Sequence, residues 1–118
     1  EKRFAVVDAS MSELLRPALY EAWHAIVPVD ALPRERAAYD VVGPVCESSD
    51  VLGTDRRLAI APGDGIAILS AGAYGMVMSS NYNSRPRPAE VMVDGDRAVQ
   101  VRAREAIDSL FAGETTLD

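Results

Sequence analysis

Apolar positions along this chain fall in short runs broken by proline, glycine and charge, and a helical spacing shows only near the two ends. Arg3–Asp8, RFAVVD, reads as a short apolar strand. In ASMSELLRPALYEAW, Ser12 is placed to cap a short helix that Pro17 breaks or restarts. His24–Val29 reads as a strand ending in a proline turn, and Arg34–Arg36 as a charged loop or edge. Tyr39–Cys46, YDVVGPVC, is strand-like with a bend at its Gly-Pro pair. Arg57–Ala61 is a short strand, PGDG a turn, and Ile66–Ala71 a buried strand leading into a polar, glycine-containing turn. AEVMVDGDRAVQVR holds two β-prone runs joined at Asp94-Gly95, a hairpin signal. REAIDSLFAG has helical spacing at Ala106, Ile107, Leu110 and Phe111, with Gly113 as the stop. Many short strands with helices near the ends predict a mainly β sandwich or barrel.

Length narrows this to one domain over residues 1–118, large enough for a core. A hydrophobic share of 48% and a charged share of 25% are those of an ordinary globular protein. A net charge of −6 argues against a nucleic-acid or anionic-membrane surface and suits small polar substrates. One cysteine excludes an internal disulfide, which makes a reducing, cytoplasmic setting the simpler expectation. The opening EKRFAVVDAS lacks the apolar core of a secretory signal. Gly65–Ser84 is uncharged, yet its three Gly, two Asn and four Ser do not suit a spanning helix. Of twelve basic residues eleven are arginine, and Lys2 is the one lysine.

Four places carry candidate chemistry. Cys46-Glu47, within GPVCESSD, sets a thiol beside a carboxylate. A thiol with a pKa near 8.5 is mostly protonated at neutral pH and can donate a proton, and a nearby carboxylate favours that acid role. The plainer reading is a small buried apolar side chain beside a surface acid. Arg16 and Tyr20 are spaced i, i+4, so a helix puts guanidinium and phenol on one face, which suits a carboxylate; an arginine packed on a tyrosine is the plainer reading. Tyr74, between glycines in GAYGM, can donate to a phosphate where the backbone closely approaches a ligand; otherwise this is a tight turn with a packed aromatic. Arg85 and Arg87, in SRPRP, read as a solvated connecting strand. One Cys and one His, far apart, form no metal-ligand pattern.

FAVVDASMSELLRPALYEAWHAI, VVGPVCESSDVL and GDGIAILSAGAYGMVMSSNYNSRPRPAEVMV, in this order, resemble the C-terminal part of the diaminopimelate decarboxylases. The resemblance runs to about Val93. It implies the alanine-racemase-like fold group, in which a C-terminal β-domain closes the active site of an N-terminal (β/α)8 barrel and two subunits complete each other's sites. The implied cofactor is pyridoxal 5'-phosphate (PLP), with its Schiff-base lysine in the barrel. The implied reaction converts meso-diaminopimelate to L-lysine. On this resemblance Arg16 and Tyr20 hold the distal carboxylate, Glu47 the distal amine, Cys46 protonates the reacting carbon, and Tyr74 lies near cofactor phosphate and substrate. Cys46 and Glu47 then act in the partner subunit's site. DASMS departs from the family's usual Gly then Met-Asn, so Ser10 and Ser12 are less usual there. With Lys2 alone and no barrel, the chain is expected to be a detached domain, inactive by itself. Two other expectations stand beside it: an ornithine- or arginine-type decarboxylase, which resembles CDG where this chain has CES, and a non-catalytic interaction domain.

Overall fold

The computed structural model describes residues 2–117. Strand β1 (Phe4–Val6) lies parallel to β3 (Ala37–Val42), and β3 pairs antiparallel with β4 (Val51–Leu58), giving the sheet order β1-β3-β4. Strands β2 (Ile26–Pro28) and β5 (Ile66–Ile68) form a second antiparallel pair, Ile26 opposite Ile68. Strands β6 (Glu90–Asp94) and β7 (Arg97–Arg102) form a hairpin. The mainly β expectation holds, as three small sheets that do not close into a barrel.

Branched apolar residues at alternate positions explain the strands: Val41 and Leu52 turn inward and are almost wholly buried. They pack with Leu14, Ile26 and Leu58, and Ala5, Val7, Tyr39, Ile66 and Ala71 close around them. This core is small. The radius of gyration is 16.2 Å, against about 13–14 Å for a compact chain of this length. The β6–β7 hairpin accounts for part of the excess, because only Glu90 among its strand residues is even half-buried. Its base is clamped by Arg87 and Glu105, through Arg87 N–H to Oε2 at 2.9 Å and a guanidinium ion pair at 2.6 Å.

Several sequence expectations change. Ser12 caps no helix: α1 (Arg16–Tyr20) starts later, after Leu15, with Pro17 in its first turn, where a missing N–H costs nothing. The strand expected over Arg57–Ala61 is the end of the eight-residue β4, which begins at Val51. A bulge hides it: Asp55 has φ 51°, the register slips between Tyr39 and Val41, and Asp40 Oδ1 accepts the Asp55 N–H at 2.9 Å. The glycine-containing turn after β5 is instead a helix, α2 (Gly72–Met78). The hairpin turns at Gly95-Asp96, one residue later than Asp94-Gly95; Gly95 takes φ 60° at the first central position, as in a II′ turn. The helix expected in REAIDSLFAG is only a largely exposed 3-10 turn, Ile107–Phe111, preceded by an extended Ala106. No helix among the described residues is long and apolar enough to cross a membrane.

Candidate functional site

The segment from Gly43 to Asp50 leaves β3 and returns as β4, and it is built as a bracket. Gly43 N–H donates to the Asp50 carbonyl at 3.0 Å, Glu47 N–H to Val45 O at 2.8 Å, and Asp50 N–H to Glu47 O at 3.0 Å. The Asp50 side chain, 3% exposed, fills the inside. Its Oδ2 accepts the Val45 N–H at 2.9 Å and its Oδ1 the Met11 N–H at 2.7 Å. Gly43 is required here, since a Cβ would lie 2.3 Å from Asp50 Oδ2. With Val45 and Asp50 turned inward, Cys46 and Glu47 face out and are exposed. The buried-hydrophobe reading of Cys46 is thereby replaced.

Asp50 also ties the bracket to the turn at Ser10–Glu13. Ser10 is fully buried, and both its N–H and its hydroxyl donate to Glu13 Oε2, at 2.7 and 2.6 Å. Glu13 and Leu14 N–H groups donate back to Ser10 O. Ser12, 2% exposed, makes two links to the far segment: its carbonyl accepts Ser80 N–H at 2.9 Å, and its hydroxyl donates to Tyr82 O at 3.3 Å. Ser12 of DASMS therefore positions residues 80–82. Tyr82 starts a 3-10 turn whose next residues, Asn83 and Ser84, both have left-handed φ of 59° and 54°. The phenol of Tyr82 thus comes over the bracket and donates to Glu47 Oε2 at 3.2 Å. An ionised phenol there would face the Glu47 carboxylate, so the Tyr82 pKa is raised above its ordinary 10.0 by that hydrogen bond first and by the charge second; the Cys46 thiol adds a smaller push. Cys46, Glu47 and Tyr82 form one cluster.

A second cluster joins α1 and α2. The Arg16 guanidinium lies over the Tyr74 ring, 5.0 Å from its centroid. Tyr20, one turn on from Arg16, is exposed. Residues 72–84 carry both Tyr74 and Tyr82, so one continuous segment serves both clusters. The backbone beside Tyr74 is open: nothing lies within 4 Å of a Cβ built at Gly72, and Gly75 meets only Glu13 O at 3.9 Å.

Arg85 and Arg87 are engaged, contrary to their reading as a solvated connector. Arg85 Nη2 donates to Asp8 O at 2.6 Å. Glu105 is held by Arg87 and by Asn81 Nδ2 at 2.6 Å, and the Arg87 hydrogen bonds are the main reason its pKa falls from 4.5 to about 2. These contacts fix both ends of the turn that presents Tyr82. A groove of about 450 Å³ between α1 and β4, bordered by Pro17, Trp23 and Arg56, contains none of the candidate residues. Sequence reasoning missed Gly43, Asp50, Ser12 and Tyr82. The glycine and the acid at the two ends of GPVCESSD were the available signal for the bracket.

Residues 1–72 match the family described as pyridoxal-dependent decarboxylase, C-terminal sheet domain. Among curated proteins, the chain is 56% identical to the diaminopimelate decarboxylase of Vibrio cholerae over 116 residues, 98% of this chain. It is 58% identical to that of Haemophilus influenzae over 117 residues. It spans 28% of the length of each. Among solved structures, diaminopimelate decarboxylase from M. jannaschii superposes with a TM-score of 0.92 at 38% identity, over 97% of this chain and 26% of that one. The Helicobacter pylori enzyme complexed with L-lysine gives 0.86 at 50% identity, over 93% and 27%. The bracketed turn, the sheets around it and these matches agree: the chain belongs to the C-terminal sheet domains of the pyridoxal-dependent decarboxylases.

Proposed function

We propose that this chain closes the active site of a diaminopimelate decarboxylase, converting meso-2,6-diaminopimelate to L-lysine and carbon dioxide. The observation that carries it is the outward-facing pair Cys46-Glu47, braced from behind by the buried Asp50. Such a pair serves chemistry outside this chain's own core. The Arg16 fork and the Tyr20 phenol suit the distal carboxylate, and the Glu47 carboxylate suits the distal ammonium. Together they select one end of a zwitterion, because an analogue lacking either group leaves a partner unpaired. Cys46 Sγ holds the proton that replaces the departing carboxyl.

Bound pyridoxal 5'-phosphate supplies the electron sink for the bond that breaks. The residues present fit part of its site: Tyr74, exposed at the start of α2, offers a donor to the phosphate. Lys2 does not fit the cofactor's lysine, since its ammonium pairs with Asp40 at 2.7 Å and sits over Phe4. That lysine is assigned to an N-terminal barrel. Cys46 and Glu47 are assigned to the site of the second subunit of a homodimer, in the cytoplasm.

The half-buried Arg16, seated on Tyr74, favours a substrate with a distal carboxylate over an ornithine-type one. The test is steady-state decarboxylation by the full-length enzyme with Cys46→Ala, Glu47→Gln and Arg16→Ala. Cys46→Ala should lower kcat, and the other two should raise KM for meso-diaminopimelate. An unchanged preference for meso-diaminopimelate over ornithine in Arg16→Ala would overturn the substrate assignment.

A further inference from the structure

Glu47 has two carboxylate oxygens, and among the described residues one side-chain donor reaches them: the Tyr82 hydroxyl, at 3.2 Å from Oε2. We infer that Tyr82 is a positioning residue for amine recognition, holding one oxygen of Glu47 so that the other faces the substrate's distal ammonium. The inference rests on the reading of Glu47 as the amine ligand.

Three observations favour this over a chance surface contact. Glu47 lies in a bracket whose backbone is fixed by Asp50, so its side-chain torsions are the freedom left to remove. Tyr82 is fixed in turn, with its carbonyl on the buried Ser12 hydroxyl and its N–H on Ser80 Oγ at 3.3 Å. Asn83 and Ser84 follow in consecutive left-handed conformations, which non-glycine residues keep only where the surroundings over-determine them. Fixing a side chain before the ligand arrives removes an ordering cost from binding.

The experiment uses the full-length, cofactor-loaded enzyme with Tyr82→Phe, Glu47→Gln and the double variant. It reads KM and kcat for meso-diaminopimelate and, separately from turnover, the calorimetric Kd of L-lysine. Loss of one hydrogen bond to a charged group corresponds to roughly a tenfold change. Tyr82→Phe should raise both KM and Kd by about that factor while kcat stays within about twofold. In the Glu47→Gln background, Tyr82→Phe should add little, because its contribution passes through Glu47. A second variant, Ser12→Ala, keeps the phenol but frees its backbone, and should raise the Kd by a smaller factor. An unchanged Kd in Tyr82→Phe, or effects of the two single variants that multiply in full, would overturn the positioning role while leaving Glu47 as the amine ligand. Normal L-lysine binding in Glu47→Gln would instead overturn the reading of Glu47, and the inference with it.

Discussion

Asp50 holds Met11 across 39 positions of chain: its Oδ1 accepts the Met11 N–H at 2.7 Å while its Oδ2 holds Val45. One carboxyl group thus sets the turn carrying Cys46 and Glu47 against the Ser10–Glu13 turn, whose Ser12 in turn holds residues 80–82. Asp50→Ala should leave two backbone donors without partners, at about 1–3 kcal/mol each. Urea unfolding should show a loss of this order. A loss below about 0.5 kcal/mol, the level of an ordinary surface change, would show that the brace carries no weight.

Gly43 and Asp50 compete for the same space, so their variants should not add. Gly43→Ala should expel the Asp50 carboxyl and break both of its bonds to backbone N–H groups. Combined with Asp50→Ala it should cost little beyond the worse single change. Gly72→Ala is the contrast. A Cβ there meets nothing within 4 Å, and helix α2 should gain up to about 1 kcal/mol. Equilibrium unfolding of the four variants decides both points.

Glu105 links the hairpin base to the Tyr82 turn, and its folded pKa of about 2 lies below the ordinary 4.5. A depressed carboxyl stabilises the fold above its unfolded pKa and loses that contribution as the pH falls through the folded one. The melting temperature should therefore decline between pH 4.5 and about 2. Glu105→Gln should flatten that limb. Identical acid limbs in the two proteins would refute the linkage.

Tyr82 should titrate above its ordinary pKa of 10.0, and in Glu47→Gln it should return toward it. Side-chain carbon labelling of tyrosine with NMR detection separates Tyr82 from the other three tyrosines. A Tyr82 titration that ignores Glu47→Gln would show that the hydrogen bond is absent in solution.

Much of the site was legible in residue types, and little of it in geometry. The runs around Phe4–Val6 and Ala37–Val42 stand out because branched apolar residues repeat there. Strand β4 was masked, because Gly53, Thr54 and Asp55 sit at its centre and a bulge lets them. Helix α2 was masked by Gly72 and Gly75, which tertiary support through Ser80 and Ser12 overrides. Cys46 and Arg16 stand out by residue type as candidates. Tyr82 did not, because NYNSR reads as a polar turn and its partner Glu47 is 35 positions away. The roles of Asp50 and Ser12 likewise exist only through contacts distant in sequence.

The shared space at Gly43 and Asp50 has a consequence for descent. Any lineage that gains a side chain at position 43 has to surrender the carboxyl at position 50, and with it the brace behind Cys46 and Glu47. The carboxyl can be lost with the glycine kept, but a side chain at position 43 cannot be gained while the carboxyl stays, so drift at these two sites is ordered. The glycine and the acid that bound the octapeptide should be inherited together, and a sequence that keeps the cysteine but has lost either end carries a different loop.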